Sequence, residues 1–138
     1  MRSAMSNVTV QVGPSEKFGN GKILLHAVLG GTLKSEDIPL IKDWADSVRT
    51  SIKSLSEERI ASICVIIDIR GMETYSDPSV ITIITDLMKS DGDFIYKTAT
   101  FGGTPLHEMI ESVIKTMSGR ANLRNFRTEA EALKWLKE

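Results

Sequence analysis

A mixed α/β fold on a five-stranded sheet with about four helices is predicted by three observations. Strand-length apolar runs alternate with segments of helical periodicity after an initial pair of strands. The run 60–69 (IASICVIIDI) is apolar almost throughout and rich in β-branched residues, as a central strand buried on both faces requires. Pro and capping residues stand where helices should begin, and glycines where strands and helices should stop.

Over 7–12, Val8, Val10 and Val12 alternate with Thr9 and Gln11, the period of a half-buried strand. Pro14, Ser15, Gly19, Asn20 and Gly21 are turn formers, and 22–29 (KILLHAVL) is a second strand, antiparallel to the first and ending at Gly30-Gly31. From 35 to 56 the apolar positions Ile38, Ile41, Ala45, Val48, Ile52 and Leu55 recur three and four apart, one face of a helix that Trp44 widens. Ser35 is its candidate N-cap, and Pro39 is tolerated in the first turn, where no intrahelical acceptor is lost. After the central run 60–69 comes a polar loop from Arg70 to Ser79. Asp77 and Pro78 then open a second helix carrying Val80, Ile83, Ile84, Leu87 and Met88 to about Ser90, with Asp91-Gly92-Asp93 as a turn.

A further strand covers 94–101 and closes at Gly102-Gly103. Thr104-Pro105 opens a helix whose apolar face is Leu106, Met109, Ile110, Val113, Ile114 and Met117, with Gly119 as its stop. A short strand includes 123–126, and the capping box Thr128-Glu129-Ala130-Glu131 opens a last helix carrying Ala132, Leu133, Trp135 and Leu136. The order is β-β-α-β-α-β-α-β-α. Crossover helices imply parallel pairing with right-handed connections, leaving the N-terminal strand as an antiparallel edge. Ligands and partners of such sheets meet the loops at the carboxyl ends of the parallel strands.

With 138 residues, one domain with one core is expected, spanning 7–138, and residues 1–6 read as a tag remnant or disordered N-terminus ahead of the fold. Seventeen Lys plus Arg against 18 Asp plus Glu give a net charge of -1, without the basic field of a nucleic-acid binder. Cys64 is the single cysteine, so neither an intramolecular disulfide nor a thiolate metal cluster can form, and a reducing cytoplasm is the natural setting. No apolar stretch approaches the roughly 18 residues of a membrane span.

The residues that invite a function lie after the central strand: Asp68, Arg70, Thr74, Tyr75, Ser76, Asp77 and Ser79. A phosphoryl group on such a loop would meet a helix N-terminus and its free N–H groups, although Ser, Thr, Asp and Pro are also what any helix start prefers. Gly102-Gly103-Thr104 and Gly30-Gly31-Thr32 resemble half a phosphate cradle but lack the spacing of a nucleotide loop, and read as tight turns that keep backbone close to the first loop. His26 and His107 have no ligand partner at metal spacing, and a Ser76, His107, Asp68 set has no nucleophile elbow, so neither a metal nor a hydrolase is indicated. Lys115, Arg120, Arg124 and Arg127 form a like-charge cluster read as a solvated face.

Three segments, KILLHAVLGGTLKSEDIP, VIIDIRGMETYSDPS and NLRNFRTEAEALKWL, resemble the SpoIIAA-like branch of the STAS superfamily, over most of the chain from Val8 onward. The resemblance implies a cytoplasmic, non-enzymatic regulatory domain that binds a protein partner and needs no cofactor. Phosphorylatable members carry an Asp-Ser-Ser-Gly segment at the start of the second helix. Matching Asp68 to their strand Asp puts that segment on Ser76-Asp77-Pro78-Ser79, with Asp77 and Pro78 where serines are expected and Ser76 and Ser79 flanking as candidate phosphorylation sites. The partner surface so implied comprises Asp68, Arg70, Thr74, Ser76, Asp77, Ser79, Gly102, Gly103 and Thr104. The branch is also similar in fold to SEC14-type lipid carriers, so a small apolar ligand held between helices and sheet is the alternative; a homodimer is left open.

Overall fold

The computed structural model describes residues 8–19, 21–75, 79–89, 92–102 and 122–138. Strands β1 (Thr9–Phe18), β2 (Lys22–Leu33), β3 (Ile63–Asp68), β5 (Ile95–Phe101) and β6 (Leu123–Phe126) lie side by side in the order β1-β2-β3-β5-β6. Among the described residues only β1 runs antiparallel to its neighbour, so the expected mixed five-stranded sheet with an antiparallel edge is present. The α-helices among the described residues are α1 (Ile38–Ser56), α2 (Ser79–Lys89) and α3 (Glu129–Lys137). The helix predicted over 106–117 lies outside the described residues.

The two sheet faces carry separate cores because successive strand residues point to opposite sides. On one face Leu25, Ala27, Leu29, Val65 and Ile67 pack against the α1 stripe Ile41, Ala45, Val48 and Ile52, with Ile83 and Leu87 of α2. On the other, Leu24, Cys64, Ile66, Ala99 and Phe101 pack against Ala132 and Leu136 of α3. Trp44 joins the first cluster, and its indole N–H donates to the Gln11 carbonyl at 3.0 Å, tying α1 to the edge strand. Thr128 caps α3 as the capping box predicts, its hydroxyl oxygen accepting from the Glu131 N–H at 3.2 Å.

Several boundaries depart from the sequence reading. Pro14 and Ser15 were expected in a turn, yet β1 continues through them to Phe18. Between Val12↔Ala27 and Ser15↔Leu25 three steps of β1 face two of β2, a bulge that absorbs the proline without ending the strand. The Gly30-Gly31 pair does not stop β2, which runs on to Leu33. α1 starts at Ile38 after a 3₁₀ turn over Ser35–Asp37, so Asp37 and not Ser35 takes the cap position, its carboxylate accepting from the Lys34 N–H at 3.1 Å. The central strand starts at Ile63, not Ile60: Glu57, Glu58 and Ala61 adopt positive φ, and Ile60 is left 79 % exposed. Phe94 likewise belongs to a short 3₁₀ turn, Gly92–Phe94, before β5.

The main difference lies in the loop predicted over 70–79. Met72–Tyr75 form a sixth strand, β4, parallel to the far end of β2. Val28 opposes Asp68 and Gly31 opposes Met72, so four steps of chain after β3 match three along β2. The extra residue lets the chain bulge between the two strands, at Ile69, Arg70 and Gly71.

Candidate functional site

The bulge sits at the carboxyl ends of β3, β5 and β6 and is anchored on both sides. The Gly31 N–H donates to the Gly71 carbonyl at 2.8 Å, and the Ile69 N–H to the Phe101 carbonyl at 3.1 Å. A Cβ on Gly30 would stand 3.3 Å from the Gly71 carbonyl carbon, so the glycine at 30 permits this close approach of two backbones. One step further on, the Gly102 N–H donates to the Phe126 carbonyl at 3.0 Å, locking β5 to β6 at the same edge.

Asp68 and Arg70 project from this bulge as a ring. The Asp68 carboxylate accepts from the Arg70 backbone N–H at 2.9 Å, from Nε at 3.1 Å and from Nη2 at 2.8 Å. The guanidinium carbon also lies 5.2 Å from the centroid of the Phe101 ring. Gly102 makes room for this seat. Its φ is +90°, and a Cβ there would fall 2.1 Å from Arg70 Cγ. The Arg70 side chain nevertheless remains 69 % exposed, against 21 % for Asp68. A guanidinium has five N–H donors, so with Nε and one Nη2 proton on Asp68 three remain for a further partner.

The Arg70 side-chain hydrogen bonds hold the Asp68 carboxyl below the usual carboxylate range, against the opposing effect of its partial burial. The shift has a definite sign in stability. An unfolded chain binds a proton at Asp68 near pH ~4, while the folded chain resists it to lower pH. The contribution is therefore complete above the unfolded value and lost as pH falls through the folded one. A carbon-detected NMR titration is expected to place the Asp68 midpoint below the usual carboxylate range in wild type and closer to that range in Arg70→Ala; equal Asp68 midpoints in the two proteins would remove the ring from solution.

No protein-family model and no curated protein matches the sequence. Solved structures do match along almost the whole chain. An uncharacterised protein with a SpoIIAA-like fold from Shewanella loihica aligns with a TM-score of 0.63 at 18 % identity, covering 99 % of this chain and 98 % of that one. The chain has a SpoIIAA-like fold. An anti-sigma factor antagonist from Mycobacterium paratuberculosis aligns with the same TM-score of 0.63 at 13 % identity, covering 99 % and 100 %. The Bacillus cell-fate determinant SpoIIAA in its phosphorylated form gives a TM-score of 0.51 at 14 % identity, covering 91 % and 97 %.

Within this SpoIIAA-like fold, Asp68, Arg70 and Gly102 come together at one edge. Thr74 is drawn into β4, where its backbone pairs with Thr32 rather than forming loop. Ser79 is exposed at the first position of α2. Ser76, Asp77, Gly103 and Thr104 lie outside the described residues, as do His107, Lys115 and Arg120. One glycine of each pair lies against the chain after β3: Gly30 meets Gly71, and Gly102 meets Arg70. Sequence reasoning missed Phe101 as the platform for Arg70 and Gly71 as the partner of Gly30. The Asp68-x-Arg70 spacing carried a usable signal, since an aspartate carboxylate readily accepts from the backbone N–H two residues on.

Proposed function

We propose that this domain is a non-enzymatic regulatory module that offers the carboxyl-end edge of its sheet to a protein partner. To the Asp68–Arg70 ring and Gly102 the reading adds Thr74, Ser76, Asp77, Ser79, Gly103 and Thr104 from the sequence, of which Ser76, Asp77, Gly103 and Thr104 lie outside the described residues. The observation that carries the reading is the Arg70 guanidinium, oriented by Asp68 and Phe101 yet 69 % exposed. An arginine already held in one orientation loses little entropy on docking, and arginines are over-represented among residues that dominate interfaces. Two proteins of similar fold, named as an anti-sigma factor antagonist and a cell-fate determinant, support a regulatory role.

By the family resemblance, Asp77 takes a position where phosphorylatable members carry a serine and would supply a fixed negative charge there. Cys64 takes no part: burial pushes its thiol up to about 11, which keeps it protonated and unreactive in a cytoplasmic setting. Affinity capture from a lysate of the source organism tests the reading, with wild type, Arg70→Ala, Asp77→Lys and Ser76→Ala as baits of equal circular dichroism. Proteins held by wild type are expected to fall by about tenfold or more with Arg70→Ala and to drop with Asp77→Lys. Identical capture by Asp77→Lys and Ser76→Ala would take Ser76 and Asp77 out of the surface, and identical capture by Arg70→Ala would end the proposal.

A further inference from the structure

At the opposite end of the sheet, where β1 ends and β2 and β5 begin, a depression of about 170 Å³ is lined by Phe18, Gly19, Lys22, Tyr96, Leu136 and Lys137. Its apolar lining includes the rings of Phe18 and Tyr96, with the buried Leu136 behind them. Its charged lining is cationic. The Lys22 ammonium lies 4.4 Å from the Tyr96 centroid and the Lys137 ammonium 5.8 Å from that of Phe18. A third lysine stands alongside: Lys97 Nζ is 5.2 Å from the Tyr96 centroid, and donates to the Trp135 carbonyl at 2.8 Å, so it is engaged by the carboxyl end of α3. Neither Lys22 nor Lys137 has such an acceptor: among the described residues their ammonium groups meet only rings, and no carboxylate pairs with either.

An ammonium over a ring face offers hydrogens to the ring's negative quadrupole but finds no acceptor lone pair there, so it retains donors for an anion. Two such cations on one small concave surface attract a carboxylate, and the rings favour an apolar planar body behind it. The size narrows the class further, since pockets for drug-sized ligands run to roughly 300–1,000 Å³. We infer that this depression binds a small carboxylate carried on a single planar ring, the ring against Phe18 and Tyr96 and the carboxylate on Lys22 and Lys137.

Amide NMR of the full chain, titrated with benzoate, with its uncharged isostere benzamide and with inorganic phosphate, tests the inference. Benzoate is expected to give saturable shifts at residues 18–22, 96–97 and 136–137. Benzamide and phosphate should bind about tenfold more weakly or less, and Lys22→Gln and Lys137→Gln should each weaken benzoate by about tenfold, the effect of losing one charge-assisted hydrogen bond. Thermal midpoints equal to wild type show that both variants fold. Equal affinity for benzoate and benzamide, equal affinity for benzoate and phosphate, no saturable shift, or variants that bind like wild type would each overturn it. The Asp68–Arg70 edge is at the other end of the strands, so such a failure leaves the partner surface untouched.

Discussion

Replacing Gly102 with alanine is expected to lower unfolding stability by about 1–3 kcal/mol and at the same time to unseat Arg70. Two causes act together. The backbone at 102 has φ +90°, where an L-residue is strained, and the new Cβ would fall 2.1 Å from Arg70 Cγ and 3.1 Å from Arg70 Cα. The side chain can swing away, but the Cα belongs to a bulge anchored to β2 and β5, so part of the clash must be taken up by backbone. Urea denaturation should show a lower midpoint at unchanged slope, and the Asp68 carboxyl should titrate closer to the ordinary range because its Arg70 donors have moved. A wild-type midpoint together with a wild-type Asp68 titration would show that Gly102 has no part in holding the ring. Gly30→Ala is the milder comparison: its nearest neighbour would be 3.3 Å away, and its φ is not positive.

Ile66→Ala should destabilise the fold by about 2–5 kcal/mol, whereas Ile60→Ala should change it by no more than about 0.5 kcal/mol. Both isoleucines belong to the same ten-residue apolar run, and the sequence reading places both in the central strand. Ile66 is 1 % exposed within the cluster that faces α3, while Ile60 is 79 % exposed on the turn before Ile63. Removing buried methylenes from a close-packed strand loses both their transfer energy and their contacts; removing exposed ones loses neither. Chemical denaturation of the two variants checks the contrast, and similar losses at both positions would move the start of β3 back to Ile60.

That contrast marks where local pattern stops being informative. The α1 stripe was legible because a helical face is periodic in sequence: Ile41, Trp44, Ala45, Val48 and Ile52 are all buried. The β6–α3 corner was legible because the cap is a local hydrogen bond between Thr128 and Glu131. Ile60 was misread because hydrophobicity reports what can be buried, while the positive φ at Ala61 and the pairing Ile23↔Ile63 decide where the strand begins. Pro14 and Ser15 are turn-forming residue types, which points to a turn; the bulge opposite β2 keeps them in the strand instead. β4 was read as loop because its residues, METY, are only intermittently apolar, and a strand so short is defined by its partner.

For the candidate site, the residue types were legible and their assembly was not. Asp68, Arg70 and the two glycine pairs stood out from chain order and turn chemistry alone. Their contacts depend on register: one residue more between Asp68 and Met72 than between Val28 and Gly31 throws Arg70 outward, and the pairing of β3 with β5 puts Phe101 and Gly102 beneath it.

The mixed sheet, the antiparallel edge and the buried faces of α1 and α3 are set by the sequence alone, because each follows from short-range periodicity or capping. Tertiary structure decided where β3 starts, that β4 exists, how Arg70 is seated and that Lys22 and Lys137 share one depression. Each of these is set by pairing between segments distant in the chain, where a shift of one residue changes which side chains meet.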